Sequence, residues 1–378
     1  MIECIKIIYR LLRYKAEWKK QWREFFIKRS QNKLIYQNFN KDTQTLIVFL
    51  TVGANYDSGK PDISGGMISI ISLAEETQKL FQTKTTEVVC CTKNKDHLLL
   101  NFSNFENKTT IFRFSQLKNT FKNSKKIIIH IPELMVANFF EQITIKDKKW
   151  LEKHQDIHFN ILNQNIKLMP EKSVIKELKS VANKVTITTA HQQYCTQEMS
   201  NYYEVPIHKF SVWISPEKYE FKKWEEKENI IAFSPDSYTN KEKIEIELKN
   251  RFPEYSLVTI TNLTYSDYKK LILKSKFVIT FGEGLDAYFI EPIFSGSISF
   301  AVYNEQFFTP DYLKLENIFR SYEDLETNLL DKIEHFDSAL NYRSVNEIAY
   351  NLCASHYSYS VYKKNIGLFY EGNFTFTY

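Results

Sequence analysis

The residues best suited to chemistry sit in one short segment, Phe281-Gly282-Glu283-Gly284-Leu285-Asp286-Ala287-Tyr288-Phe289-Ile290-Glu291-Pro292. Two glutamates stand eight apart, one between glycines and one in the opening of a predicted helix. Carboxylates so placed accept hydrogen bonds from vicinal hydroxyls, such as those of a ribose or hexose, while the free amides of a helix N-terminus face phosphate. A nucleotide sugar carries all of these groups. A plainer reading also fits, in which Glu291 only favours a helix N-terminus and Glu283 is solvated.

Such a loop belongs at the carboxyl end of a strand in an open α/β sheet. After Asn40 the sequence alternates β-branched runs with helical stretches. Thr45–Thr51, Glu87–Cys91, Thr110–Phe114, Lys126–Ile131, His158–Leu162 and Val185–Thr189 read as strands, and Met67–Phe81, Leu134–Glu141, Glu171–Ala182 and Gln192–Tyr203 as helices. A second alternation starts at Asn229, with strands Ile230–Phe233, Ser256–Ile260, Phe277–Phe281 and Ile298–Val302 between helices Lys241–Arg251, Ser266–Lys274 and Tyr288–Ser295. This pattern predicts parallel sheets with helical crossovers. A chain of 378 residues has room for two such units. The expected division is 1–40 as a helical segment, 41–210 and 211–345 as Rossmann-like units joined through Val205–Glu228, and 346–378 as a helix returning to the first unit.

Seven of the nine glycines fall in two regions: Gly53, Gly59, Gly65 and Gly66 after the first strand, and Gly282, Gly284 and Gly296 in the second unit. Neither region is G-x-G-x-x-G or ends in Gly-Lys-Ser/Thr, which argues against a dinucleotide dehydrogenase and a P-loop nucleotidase. Glu283-Gly284, Glu291 and Gly296 instead keep the register of the Glu-x7-Glu motif of family 4 retaining glycosyltransferases, which the segment resembles. Asp286 stands where that family usually has its second Gly, and Tyr288 replaces a common Pro.

The resemblance implies an α/β chain of the GT-B type, two Rossmann-like domains facing a central cleft. It implies Glu283 on the transferred sugar, Glu291 on the nucleotide ribose, and Gly282, Gly284 and Leu285 lining the donor. Asp62-Ile63-Ser64-Gly65-Gly66-Met67 is similar to the family's Gly-Gly loop, giving Gly65 and Gly66 to the donor phosphates. His130-Ile131-Pro132-Glu133 is similar to the histidine-bearing strand end of the first domain, giving His130 a catalytic place, although a lone His after an apolar run is more often a core residue. Family members place Arg and Lys after the first strand of the second domain. Here Lys241 is available, with Asn240 predicted to cap its helix and Lys243 as substitute. Amides in HFNILNQN and the strand end at Thr188–Gln192 suit sugar hydroxyls, so Asn163, Asn165 and His191 are expected at the acceptor. The run from HFNILNQNIKLMP to His208 also resembles rhamnosyltransferases of the same broad family.

Charge is uneven. Residues 1–40 hold ten Lys and Arg against Glu3, Glu17 and Glu24, leaving the remainder near neutral, which argues against a nucleic-acid-binding body. Ile5, Ile8, Tyr9, Leu12 and Ala16, then Trp18, Trp22, Phe25 and Phe26, recur near helical spacing among those cations, the composition of a helix lying on an anionic membrane. Packing on its own domain is the alternative. Lys6, Arg10, Arg13 and Lys15 interrupt any secretory-signal pattern, and no apolar run reaches the ~20 residues of a membrane span, so a cytoplasmic protein peripheral to the inner face is expected. The five cysteines form no C-x-x-C pair, so neither disulfides nor structural zinc are expected.

The expected function is transfer of a sugar from a nucleotide-sugar donor to a glycan or lipid-linked acceptor in bacterial surface polysaccharide synthesis, capsule or lipopolysaccharide. No Asp-x-Asp is evident, so no metal or other cofactor is expected. The alternatives are a non-catalytic glycosyltransferase-like binding subunit and a nucleotide-sugar epimerase of the same fold.

Overall fold

A computed structural model describes scattered residues between Arg13 and Ile35, then 39–51, 65–81, 85–92, 109–211 and 214–378. Its strands are β1 (Thr45–Leu50), β2 (Thr86–Thr92), β3 (Ile111–Arg113), β4 (Lys126–Pro132), β5 (Asp156–Asn163), β6 (Lys184–Thr189), β7 (Ile207–Lys209), β8 (Glu228–Phe233), β9 (Ser256–Thr259), β10 (Ser275–Ile279), β11 (Ile298–Val302) and β12 (Ile318–Phe319). They form two parallel sheets, a seven-stranded one in the order β3-β2-β1-β4-β5-β6-β7 and a five-stranded one in the order β12-β11-β10-β8-β9. The central strand β1 (TLIVFL) is buried on both faces, as an unbroken apolar run in a parallel sheet should be.

Strand order decides where ligands go. In the second sheet the chain passes from β8 to β9 on one side and then to β10 on the other, so a topological switch point lies between β8 and β10. Crevices for ligands open there, beyond the carboxyl ends of the strands. The two loops that leave those ends are Ser234–Asn240, leading to the helix Lys241–Arg251, and Thr280–Asp286, leading to the helix Ala287–Phe294.

The main helices are α1 (Gly65–Leu80), α2 (Lys241–Arg251), α3 (Tyr265–Lys274), α4 (Ala287–Phe294), α5 (Tyr322–Phe336), α6 (Ala339–His356) and α7 (Tyr359–Glu371). Below the second sheet, Phe233, Phe277, Phe300 and Phe319 pack with Leu325, Leu329 and Phe336 of α5. A second cluster joins Leu285, Phe289 and Ile293 to Phe307, Phe308 and Tyr312.

The chain forms two compact units. One takes residues through 161 with Pro170–Val185, the other Leu162–Met169 with Thr186–Tyr378.

Several elements differ from the sequence reading. Leu134–Glu141 is two single turns, Glu133–Val136 and Phe139–Gln142. Helix α5, whose Leu325, Leu329, Ile333 and Phe336 recur at helical spacing, and the three-residue strand β7 were not expected. The terminal helix is broken at Tyr357, because Ser358 turns its hydroxyl to the amide of Val361 at 3.3 Å and starts α7 afresh. The tail beyond α7 pairs Phe376 with Ile207 of the edge strand β7, and His208 takes the carbonyl of Asn365 at 2.8 Å.

Every described residue from Arg13 to Lys33 in the first segment is helical and exposed, whereas Ile35 is buried. Among the described residues no helix is long and apolar enough to cross a membrane.

Candidate active site

The loop from β10 carries the two glutamates to opposite ends of one short structure. Gly282 and Gly284 both have positive φ, 74° and 82°. At Gly284 nothing else fits: a Cβ would stand 2.7 Å from Cε2 of Phe308 and 2.8 Å from the carbonyl oxygen of Val302. The Gly282 amide donates to the hydroxyl of Tyr322 at 3.2 Å, and Tyr322 stacks on Tyr238, which stacks on Phe281. Asp286 caps α4 by accepting from the amide of Phe289 at 3.2 Å. The Asp286 side chain thus does what an N-cap requires.

Glu283 is half-buried, and its Oε1 accepts from Nδ2 of Asn165 at 3.2 Å, joining two positions singled out separately in the sequence. Burial raises its carboxyl above the usual range, Lys167 opposes this, and Asp236 adds to it. Asp286 is pushed up to about 8, first by burial and then by Asp236.

Lys241 opens α2, and its Nζ donates to the carbonyls of Ser234 at 2.7 Å and Asp236 at 3.4 Å, lying over the ring of Phe281 at 5.5 Å. Its ammonium therefore sits between the two switch-point loops. Lys243 is turned away into an ion pair with Glu326 at 3.5 Å. The expected cap by Asn240 does not form, because its amide donates instead to Glu326 at 2.7 Å.

Glu291 lies in the second turn of α4 and is buried. Oε1 accepts from the hydroxyl of Tyr265 at 3.4 Å, Tyr219 and Tyr265 meet at 3.1 Å, and Oε2 has no partner. Burial lifts the carboxyl to about 7, with the hydroxyls of Tyr219, Tyr265 and Tyr268 among the groups opposing it. A buried carboxylate oxygen without a donor is costly unless a ligand supplies one.

Asn163 ends β5, buried, with its side-chain Oδ1 also unpaired. Asn165 accepts from the amide of Lys167 at 3.0 Å while donating to Glu283. His191 follows β6 and packs edge-on to Phe307 at 5.4 Å, and Lys167 lies over the same ring at 5.8 Å. Burial lowers the His191 imidazole to about 4, so it is neutral at physiological pH. The space beside it holds about 10 Å³, a single water.

Two expectations fail on geometry, and a third falls largely outside the described residues. His130 is not at an exposed strand end. Its ring is fully buried in β4, stacked on Phe49 at 4.2 Å and bonded through Nδ1 to Asn160 Nδ2 at 2.9 Å. Burial, then His158, keep it neutral far below the usual histidine range, so it is a core residue and no catalyst. The side chain of Leu285 belongs to the apolar cluster with Phe289 and Phe308, leaving only its backbone for a donor. Gly65 and Gly66 begin α1, where a Cβ on Gly65 would meet nothing within 4 Å. The rest of that loop, including Asp62, Ile63 and Ser64, lies outside the described residues. Gly296 serves a turn: φ is 86°, and a Cβ would stand 2.2 Å from the carbonyl oxygen of Lys222.

Sequence reasoning gave no role to Lys167, Tyr219, Tyr265 or Tyr322. Lys167 follows the asparagine run and was within reach of it. The tyrosines come from three distant segments and share no local pattern.

No protein-family model matches the chain, and no curated protein matches it in sequence. Solved structures do match in shape. Sucrose-phosphate synthase from Thermosynechococcus elongatus superposes with a TM-score of 0.53 at 9% identity, covering 87% of this chain and 98% of that one. A UDP-GlcNAc 2-epimerase from Neisseria meningitidis bound to UDP-GlcNAc gives 0.53 at 10%, covering 87% and 100%. Anabaena HepE in complex with UDP-glucose gives 0.50 at 9%, covering 86% and 99%. At such identity the likeness concerns the fold, and the fold is of the GT-B class.

Proposed function

We propose that the protein is a glycosyltransferase of the family 4 retaining type, moving a sugar from a nucleotide-sugar donor to a glycan or lipid-linked acceptor in bacterial surface polysaccharide synthesis. One observation carries the reading: Glu283, in the loop at the β8/β10 switch point, and Glu291, in the second turn of the helix that follows it, each have unmet or shared acceptor capacity where a sugar and a ribose would lie. Glu283 and Asn165 hold the transferred sugar, and Glu291 holds the ribose. As the anomeric carbon–phosphate oxygen bond breaks, the acceptor oxygen bonds the anomeric carbon and its proton leaves with the departing phosphate. The N-terminus of α4 and the Lys241 ammonium offset the charge that develops there, and no metal or protein base is invoked. Asn163 and His191 belong to the acceptor side. The protein works in the cytoplasm at the inner face of the membrane, with residues 1–30 as its contact.

A thermal-shift screen of UDP, GDP, dTDP and CDP tests the class. At a concentration a hundredfold above Kd, binding contributes about 2.7 kcal/mol. One nucleotide should raise the unfolding midpoint by several degrees in the wild type and not in Glu291→Ala. Stabilisation by none of them overturns the reading.

The likeness to 2-epimerases favours one alternative, separable by product. An epimerase returns an isomerised sugar without acceptor, whereas a transferase yields free nucleotide only as acceptor is consumed.

A further inference from the structure

A groove of about 790 Å³ opens at the amino ends of β4 and β5, lined by the loop before β4 and by the helix Ile145–Leu151 with the residues after it. Lys122, Lys125, Lys126, Lys146, Lys149 and Lys153 line it, and among the described residues none of the six makes an ion pair. Asp156 is the one acid in the lining; Asp147 nearby is buried and already neutralised by Lys118 at 2.6 Å. Eight residues of β5 at ~3.3 Å each separate this end of the sheet from Asn163. The groove is therefore remote from the acceptor asparagine.

The positive field reaches into the protein. Lys184, at the start of β6, has its ammonium lowered by burial and then by Lys126. His158 falls to about 3 through burial and then through Lys184 and Lys126. Such crowding of cations is unfavourable unless an anion answers it.

The same unit presents an apolar patch. Trp18, Trp22, Phe25 and Phe26 are 45–60% exposed and pack mainly edge to face, with centroids 5.5–6.0 Å apart. Edges cover the ring faces that a nucleobase would stack on, so the patch suits hydrocarbon better than nucleic acid. The chain leads from this helical segment to Phe39, whose ring meets Phe121 at 5.7 Å, immediately before Lys122.

We infer that the groove between the loop preceding β4 and the helix Ile145–Leu151 binds the phosphate headgroups of an anionic bilayer, extending the contact made by the aromatic helix. The inference is independent of the sugar-nucleotide chemistry. Lysines at the surface hold anionic lipid while the aromatics enter the interface.

Flotation of the full chain with phosphatidylcholine vesicles, with 3:1 phosphatidylcholine/phosphatidylglycerol vesicles and with polyuridylate tests it. The wild type binds the anionic vesicles, not the neutral ones, and leaves them in 1 M salt, where charges are screened beyond ~3 Å. The variant Lys122→Glu/Lys125→Glu/Lys149→Glu/Lys153→Glu loses at least about a hundredfold in vesicle partitioning. The milder Lys→Gln set at the same positions loses about tenfold or more, and both variants keep the wild-type unfolding midpoint and nucleotide-induced shift. Anionic-vesicle binding within threefold of wild type in a folded charge-swap variant overturns the inference. So does equal binding to both vesicles, or binding to polyuridylate with none to vesicles.

Discussion

Nucleotide binding should release a proton, and the source should be Glu291. In the free protein burial holds this carboxyl at about 7, against an ordinary value of 4.5. Two ribose hydroxyls donating to its oxygens would favour the carboxylate, including the Oε2 that now has no partner. If binding returns the pKa to near 4.5, about half a proton is released per nucleotide at pH 7. Affinity should then weaken about thirtyfold between pH 8 and pH 5.5, within a ceiling of ~3.4 kcal/mol set by the shift. Titration calorimetry at pH 7 in buffers of different ionisation enthalpy measures the proton directly. The free protein gives the opposite face of the same linkage. Its folded carboxyl binds a proton more tightly than the unfolded one, so the stability this contributes is full below pH 4.5 and is lost as pH rises through 7. Glu291→Gln removes that loss, so it should raise the unfolding midpoint at pH 8 while abolishing proton release and weakening binding. Tight binding with no buffer dependence and a flat pH profile would refute the reasoning.

Three other outcomes are expected. Gly284→Ala should cost at least about 2 kcal/mol, read as a lower denaturation midpoint, because the left-handed backbone and Phe308 leave no place for a methyl. His130→Ala should lower stability by about 2–4 kcal/mol, through the cavity beside Phe49 and the lost bond to Asn160, and leave nucleotide affinity unchanged, which separates a core role from a catalytic one. Lys227→Met should destabilise by about 2–4 kcal/mol in urea unfolding. Its buried Nζ donates to the carbonyls of Leu273 and Ser295 and to the Ser297 hydroxyl, each at 3.1 Å, and a thioether supplies none of these three donations.

The sheets were legible because their strands are unbroken apolar runs; TLIVFL and SKFVI have few other uses. The glycine loop was legible because Gly284 can be nothing else. Helix α5 was overlooked although Leu325, Leu329, Ile333 and Phe336 recur at helical spacing; only its partners Phe300 and Phe319 are remote in the chain. His130 misled because a strand's end and its buried middle share one apolar sequence. Whether a ring faces outward depends on Phe49 and Asn160, which are remote in the chain. The tyrosines around Glu291 were hidden for the same reason: Tyr219 and Tyr265 converge only through packing.

The most direct test of the central claim is a structure of the protein soaked with the nucleotide sugar whose nucleotide stabilises it. The account predicts the ribose hydroxyls on Glu291, the sugar hydroxyls on Glu283 and Asn165, and the diphosphate over the start of α4 within reach of Lys241. A nucleotide seated away from both glutamates, with Oε2 of Glu291 still unpaired, would contradict it.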